Sequence, residues 1–531
     1  MKRLLMIFAS ASLALAAGAQ ETYDNATIAT GDLNGTARYV GMGGAMEALG
    51  ADISTIGTNP AGIGLFRHST ANISFGGVSQ QDVKDFAGHD KTKLSFDQAG
   101  FVYAHRTGRN SFLNVAFNYH KSRNFNQILS AAGALTNASQ NKLSYIKGAK
   151  GVYDDVIKGN DGNWYGATDY GNGLEQSSAF SQVDYLYYNT MLPATGSDGT
   201  ETFLYSDATD YNFNRASKGY IGNYDINISG NINDRVYLGL TFGINDVNYK
   251  SYSEYGETID DGGYTNLIDE RRIDGNGFNI KAGVIFRPIE TSPFRVGLSI
   301  ETPTWYDLTT SNSTTFVNAS YGTSSKKNIG ESYDFKLYTP WKFGLSLGTT
   351  VSNYLALGTS YEYADYGSLD SRINTGGGYD EWGYYHDDSS SDISMNNHTK
   401  STLKGVHTLK LGMEIRPDAN MAFRLGYNYV SPMYDKDGFK DSSIESPGSY
   451  YSSSTDFTNW RATNRITCGF GYNMSKFSID IAYQYSMQSG NFYPFMNYFA
   501  DSTEPQLDNI AKATKVDNKR HQVLLTLGYH F

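Results

Sequence analysis

The sequence predicts an all-β protein: a transmembrane antiparallel up-and-down β-barrel of about fourteen strands. Three observations predict it. Stretches of about ten residues alternate apolar and polar side chains, the length and period of a tilted strand crossing a bilayer. The connections between these stretches are alternately very short and long. The last stretch ends the chain on an aromatic residue, Phe531.

The chain starts with Lys2-Arg3, an apolar run from Leu4 to Ala17, and Ala17-Gly18-Ala19 before Gln20. This is the charged, apolar, small-residue order of a secretory signal peptide, so residues 1–19 are expected to be removed and the protein exported. Roughly 14 apolar residues reach about 21 Å as a helix, too short for a hydrocarbon core of about 30 Å. No later window approaches the length of a spanning helix, so a membrane would be crossed by strands.

Composition agrees, with 42 Tyr, 28 Phe and 56 Gly against 11 Pro, a usage that suits pleated sheet. The mean hydropathy of -0.45 does not argue against a membrane, because outward apolar and inward polar residues cancel in the average. A net charge of -11, or -13 without Lys2 and Arg3, disfavours nucleic acid as a partner. The single cysteine, Cys468, excludes an internal disulfide and a thiolate metal cluster.

Period-two alternation places strands at roughly 69–80, 93–106, 110–127, 218–233, 235–257, 272–289, 294–318, 331–352, 354–370, 403–418, 421–435, 460–475, 477–492 and 517–531. Val236, Leu238, Leu240, Phe242 and Ile244 fall on one face, with Tyr237, Gly239, Thr241, Gly243 and Asn245 on the other. Short connections such as Asn233-Asp234, Val351-Ser352-Asn353 and Asn473-Met474-Ser475 read as periplasmic turns, and the long polar ones as extracellular loops. A soluble β-sandwich shares the alternation but needs neither ten-residue strands nor an export signal.

Charged residues test the register. Arg424 lies between Phe423 and Leu425, Lys410 between Leu409 and Leu411, and Asp480 between Ile479 and Ile481. A lipid-facing Arg or Lys at the midplane would cost roughly 2–4 kcal/mol, so these side chains are expected in the lumen. Lys281, Arg295, Lys342, Glu414 and Arg416 fall on the same side by the same count. Both signs are present, which reads as a paired polar network more than an ion filter.

Between the signal and the first strand lie Gly35-Thr36-Ala37-Arg38-Tyr39-Val40-Gly41-Met42-Gly43-Gly44-Ala45 and Asp52-Ile53-Ser54-Thr55-Ile56-Gly57-Thr58-Asn59-Pro60-Ala61-Gly62. Later come Gly275-Asn276-Gly277-Phe278-Asn279, Phe286-Arg287-Pro288, Thr339-Pro340-Trp341, Tyr361-Glu362-Tyr363-Ala364-Asp365-Tyr366 and Leu411-Gly412-Met413-Glu414-Ile415-Arg416-Pro417. This ordered series resembles the FadL/TodX (OmpP1) family of outer-membrane hydrophobic-compound transporters, over nearly the whole mature chain. The resemblance implies a fourteen-stranded barrel (69–531) plugged by an N-terminal hatch (20–68) that carries the motif Asn59, Pro60, Ala61 and Gly62. It implies ligand capture at the outside and lateral release through a gap in the wall, with long-chain fatty acids as the family-level substrate. The ending with Leu527, Tyr529 and Phe531 resembles the signal read by the barrel-assembly machinery. The expected partners are therefore that machinery, outer-membrane lipid and a hydrophobic small molecule, with the protein itself a monomer. The third strand has no Gly or Pro to announce a kink, which leaves the exit without a position.

The insertion at about 128–217 is too long for an idle loop. Phe180, Val183, Leu186, Tyr187 and Met191 recur near helical spacing, as do Ile128, Leu129, Ala132 and Leu135. A helix pair with an apolar groove would make a capture site; the plainer reading is that these residues pack the loop onto the rim. The nine histidines form no metal-ligand spacing, and lone loop residues such as His386 or His398 are expected to be solvated. Asp154-Asp155 and Asp387-Asp388 lack EF-hand spacing. No catalytic pattern is present, so an enzyme, a metal and a cofactor are not expected. Two alternatives stand beside transport: a haem or haemin receptor, since some members of the resembling family carry that label, and a structural or adhesive barrel acting through its loops.

Overall fold

The computed structural model describes residues 21–149, 157–158, 164–165, 181–195, 198–199, 201–260, 262–319, 325–379, 381–383, 385–440, 452–500 and 502–531. The expected signal peptide at 1–19, together with Asp154, Asp155 and Phe180, lies outside them.

Fourteen antiparallel strands close on themselves. In chain order they are β1 (Thr70–Gln80), β2 (Thr92–Arg106), β3 (Phe112–Asn124, continuing as Gln127–Ala138), β4 (Ala208–Ile232), β5 (Val236–Ile259) and β6 (Tyr264–Phe286). Next come β7 (Arg295–Glu301 and Trp305–Asn318), β8 (Ser325–Tyr338 and Lys342–Val351), β9 (Leu355–Asp365 and Asp370–Tyr379) and β10 (Tyr385–Ser391 and Gly405–Ile415). The last four are β11 (Met421–Val430), β12 (Phe457–Met474), β13 (Phe477–Tyr493) and β14 (Thr514–His530). Closure is made by β1 on β14, in register from Thr70↔His530 to Gln80↔Arg520. β7 and β8 break at Thr302-Pro303-Thr304 and Thr339-Pro340-Trp341, where proline withholds a ladder donor. The turn between β4 and β5 holds Asn233 and Asp234, each at φ 54°, a left-handed pair that Asn and Asp tolerate and that brings Arg235 N onto Ile232 O at 3.0 Å.

The wall is apolar outside and polar inside. On β5, Leu238, Leu240, Phe242 and Ile244 are exposed while Thr241 and Asn245 are buried. The same inversion holds for Val115 and Phe117 against Asn114 and Asn118 on β3, and for Ile479 and Ile481 against Ser478 on β13. Past Ile244, the outward face of β5 carries Asp246, Asn248 and Lys250, so the rest of that strand stands beyond the lipid-facing band.

The N-terminal segment from Glu21 to His68 fills the lumen. It contains α1 (Thr22–Ala29), α2 (Ala37–Gly41) and two 3-10 turns, Ile53–Gly57 and Pro60–Leu65. Its chain descends from the extracellular loops, where α1 packs against α5 (Ile393–Thr402), to the periplasmic entry of β1. At the opposite end, α3 (Gln140–Ala149) and α4 (Gln182–Thr190) cover the mouth over an apolar cluster shared with β3, β4, β5 and β14.

Two expectations are corrected. The insertion at 128–217 is shorter than expected, because β3 runs on to Ala138 and β4 begins at Ala208. Ile128, Leu129, Ala132 and Leu135 are therefore strand, not helix; Leu129, Ala131 and Leu135 are buried on one face, but Ala132 and Ala134 on the exposed face hide the period of two in the sequence. His398 is not solvated. It is buried on α5, with its Nδ1 2.8 Å from the Thr22 hydroxyl and its Nε2 2.9 Å from the Phe439 carbonyl oxygen.

Candidate functional site

The N-terminal segment is held to the wall by three kinds of contact. At the periplasmic end, Asn59 caps the second 3-10 turn, its side-chain oxygen accepting from Ala61 N at 3.1 Å. Its amide donates across to the carbonyls of Leu298 (3.3 Å) and Val284 (3.5 Å). Pro60 sits at the first position of that turn, where no amide donor is missed, and Ser229 donates to its carbonyl at 2.9 Å. Gly62 packs flat on Thr55. Asn59, Pro60, Ala61 and Gly62 are thus a buried anchor to β4, β6 and β7.

The second contact is ionic. Seven of the eight sequence-selected charges point into the lumen; Arg416 lies just past the end of β10, its side chain 44% exposed, and reaches back to Glu414. Glu414 accepts from Arg424 (2.6 Å) and Arg416 (2.7 Å) of the wall and from Arg38 of α2 (3.0 Å), and Arg424 reaches Asp480 at 2.6 Å. Lys410 pairs with Glu47 of the N-terminal segment at 2.8 Å. Arg295 donates to the Leu49 carbonyl at 3.1 Å, Lys342 pairs with Glu301 at 3.5 Å, and Lys281 with Asp225 at 3.1 Å. Charges placed this way satisfy one another where an unpaired buried ion would cost several kcal/mol.

The third contact is a row of glycines. Gly348, Gly358, Gly412 and Gly426 lie opposite one another on four successive strands, β8 to β11. A side chain at any of them would collide with the backbone of Leu49, Ala45, Met42 or Gly43 respectively. The segment 42–49 rests directly on a bare wall, a close approach that only glycine permits.

On the far side of the lumen the wall opens. β2 pairs with β3 only from Arg106↔Phe112 to Gln98↔His120, although β1 accompanies β2 as far as Ser79↔Thr92. Beyond His120, β3 keeps only β4, its register slips at Ser122, and the strand breaks at Phe125-Asn126. The vacated partner is supplied by the N-terminal segment. Asp32 N donates to Ser122 O at 2.7 Å, Asn124 N donates to the Asp32 carboxylate at 3.0 Å, and Asn34 donates to Lys121 O at 3.1 Å. Asp32 thereby holds the bend.

Above the bend, Gln80 of β1 closes the gap with its side chain. Its amide nitrogen donates to Ile128 O at 2.8 Å and its oxygen accepts from Ile128 N at 2.7 Å, reproducing one rung of a strand ladder. Behind the gap lies a chamber of about 340 Å³, within the roughly 300–1,000 Å³ of small-molecule pockets. It is bounded by α1 and residues 30–34, by the bend of β3, and by inward residues of the wall. Phe125, Ile221, Tyr249, Met433 and Trp460 give it an apolar side; Arg123, Arg465 and Arg520 give it a basic one.

The expected loop residues Val183, Leu186, Tyr187 and Met191 are buried in the cluster beneath α3 and α4, packed against Leu143, Tyr255 and Phe316. Tyr187 and Phe316 rings lie 4.3 Å apart. These four side chains are buried in the mouth of the barrel. At the chain end, Leu527 faces outward, Tyr529 packs against Phe477 (4.9 Å) and Phe531 (4.8 Å), and Phe531 N donates to Ser69 O at 2.9 Å.

Sequence reasoning missed Asp32, Gln80, Arg123, Arg465 and Arg520. The parity that placed Arg424 would also have placed Arg465, which precedes outward Ile466. Nothing local marks Asp32 or Gln80: Gln80 meets Ile128 of the next hairpin, and Asp32 meets residues as distant along the chain as Arg465 and Arg520.

No protein-family model matches the chain, and no curated protein matches it. Solved structures do. A Pseudomonas aeruginosa FadL homologue aligns with a TM-score of 0.50 at 11% identity, over 95% of this chain and 100% of that one. The Ralstonia pickettii toluene transporter TbuX aligns with a TM-score of 0.47 at 11% identity, over 94% and 99%. The Pseudomonas putida toluene transporter TodX gives 0.45 at 9% identity, over 95% and 100%. At such identities the likeness to the FadL homologue shows the fold, a fourteen-stranded barrel.

Proposed function

We propose that this chain is an outer-membrane channel for passive uptake of hydrophobic small molecules, long-chain fatty acids or similar among them. Ligand enters from the extracellular side past the apolar residues under α3 and α4, occupies the chamber, and leaves sideways into the bilayer between β2 and β3. The N-terminal segment acts as the hatch, blocking the straight path to the periplasm. A closed wall would force an apolar molecule through the polar lumen, and an unplugged barrel of this width would leak solutes. Lateral exit avoids both.

The observation that carries this reading is the unpaired stretch of wall, from Gln98 outward on β2 and from Lys121 outward on β3, placed directly beside the chamber. A row of lost strand pairing inside a membrane barrel exposes backbone groups and persists only where something compensates it. Here a side chain and the hatch do so.

The test is a staple. Gln80 and Ile128 replaced by cysteines and joined by a short reducible bis-maleimide would lock the gap, on a Cys468→Ala background, since the Gln80 side chain spans a distance too long for a direct disulfide. Proteoliposomes bearing the cross-linked protein are expected to lose uptake of a fluorescent long-chain fatty acid and to regain it on reduction. Unchanged uptake in the cross-linked form would rule out exit at this gap.

A further inference from the structure

Three guanidiniums converge on one carboxylate at the bend of β3. Nη1 of Arg123 lies 3.2 Å from Asp32, Nη2 of Arg465 at 3.6 Å, and Nη2 of Arg520 at 4.0 Å. No second carboxylate of the described residues pairs with any of the three. Their other bonds are to neutral groups: Arg465 donates to the Asn428 side chain at 2.8 Å and Arg520 to the Asn124 carbonyl at 3.3 Å. Nε of Arg123 is buried without an acceptor. Other cation groups of the lumen hold more carboxylate: Lys410 meets Glu47 and Glu362, Lys342 meets Glu301, and the three arginines around Glu414 have Asp480 as a second carboxylate. At Asp32 two positive charges stay uncompensated in an enclosed space, where a missing counter-ion is costly.

Asp32 belongs to the N-terminal segment, and the arginines belong to the wall. The same carboxylate accepts from Asn124 N, and its own amide donates to Ser122 O. One residue therefore neutralises the arginines, docks the segment and holds the bend beside the gap. Phe125, Tyr249, Met433 and Trp460 border the chamber within the same cavity, so a molecule with an anionic head and an apolar body would meet both halves.

The geometry points to an anion site that the protein fills with its own carboxylate: Asp32 stands where the head group of an amphipathic anion binds, and a ligand that takes the arginines displaces it. Displacement frees the two hydrogen bonds at Ser122 and Asn124, so occupation of the chamber loosens the hatch and the bend together. Binding and release are then coupled by competition for one set of guanidiniums. This inference rests on the chamber being the ligand's path, as proposed above.

The test follows amide exchange of the full chain in maltoside detergent, with sodium decanoate or with 1-decanol at equal concentration. The amides of Asp32 and Asn124 report the two bonds directly. Decanoate is expected to speed their exchange about tenfold, and 1-decanol to leave it unchanged, since only a charge-assisted bond competes with Asp32. Equal acceleration by 1-decanol, or none by decanoate, overturns the inference. Asp32→Asn is expected to bind decanoate about tenfold more tightly, because the internal competitor is gone, and Arg465→Gln about tenfold less tightly. An Asp32→Asn protein that binds no better than the native chain contradicts the competition; should that variant not assemble, the Arg465→Gln affinity decides alone. Uptake of an uncharged apolar dye by proteoliposomes separates the two claims. Dye uptake without a decanoate response refutes the anion switch only, and a decanoate response without dye uptake refutes the channel only.

Discussion

Lys410 and Glu47 offer a measurement of how firmly the N-terminal segment is docked. Lys410 reaches Glu47 at 2.8 Å and Glu362 at 3.6 Å, and Ser360 also donates to Glu47; both partners of the main pair are buried. Replacing Lys410 by Met leaves the Glu47 carboxylate buried with only the Ser360 hydroxyl, a loss in the range of about 3–5 kcal/mol for a broken buried pair. Replacing both, as Lys410→Met with Glu47→Gln, removes the stranded charge and is expected to recover most of that loss, giving a coupling energy on the order of 2 kcal/mol. Native-state hydrogen exchange reads this locally, because Gly50 N is bonded to Met46 O at 2.7 Å within the docked turn. A loss of about 3 kcal/mol appears there as roughly a hundredfold faster exchange, while the amides of β5 stay protected. Additive effects of the two single changes, or a Lys410→Met protein whose Gly50 amide exchanges at the native rate, would refute the pairing of segment and wall.

Three further outcomes follow from the same geometry. Gly358→Leu is expected to push the Ala45 carbonyl off β9 at a cost of about 1–3 kcal/mol, raising liposome permeability to a small sugar while the barrel keeps its heat-resistant electrophoretic form. Gln80→Ala removes both bonds to Ile128 and is expected to speed exchange of the Ile128 amide about tenfold and to increase dye uptake; slower uptake would contradict a closing role for Gln80. Glu257 stands on β5 beyond the lipid-facing band, accepting from Gln140 N at 2.7 Å, and burial pushes its carboxyl up to about 7. A raised carboxyl stabilises the folded cap fully below its ordinary value of 4.5 and loses that contribution as pH rises through about 7. Proteolysis within the α3 to α4 loop is therefore expected to accelerate between pH 5 and 8 in the native chain and to be flat in Glu257→Gln.

Much of the wall is legible in the sequence because a bilayer enforces a strict rule on every spanning residue. Arg424 between Phe423 and Leu425 has one affordable direction, and the structure places it with Glu414 and Asp480 in the lumen. Tight turns such as Asn233-Asp234 are equally local, since the residues themselves carry the left-handed conformation. The bend of β3 is not legible in this way. It is made without Gly or Pro, by a register slip at Ser122 and by Asp32 arriving from the lumen, so its cause is tertiary. The outer part of β3 misleads for a different reason: Leu129, Ala131 and Leu135 are buried on one face and Ser130, Ala132, Ala134 and Thr136 exposed on the other, but alanines on both faces hide that alternation in the sequence. The glycine row is visible only once four strands are aligned, because each of Gly348, Gly358, Gly412 and Gly426 is an ordinary strand glycine in its own stretch.

Everything above depends on which way the β5 side chains point. Spin labels placed singly at Leu238, Leu240, Phe242 and Ile244, on a Cys468→Ala background in liposomes, measure contact with dissolved oxygen against a water-soluble nickel complex. Those four positions are expected to favour oxygen, with the maximum near Leu240 and Phe242, and labels at Thr241 and Asn245 to be shielded from it. Oxygen contact that peaks at Thr241 and Asn245 would turn the wall inside out and end the account.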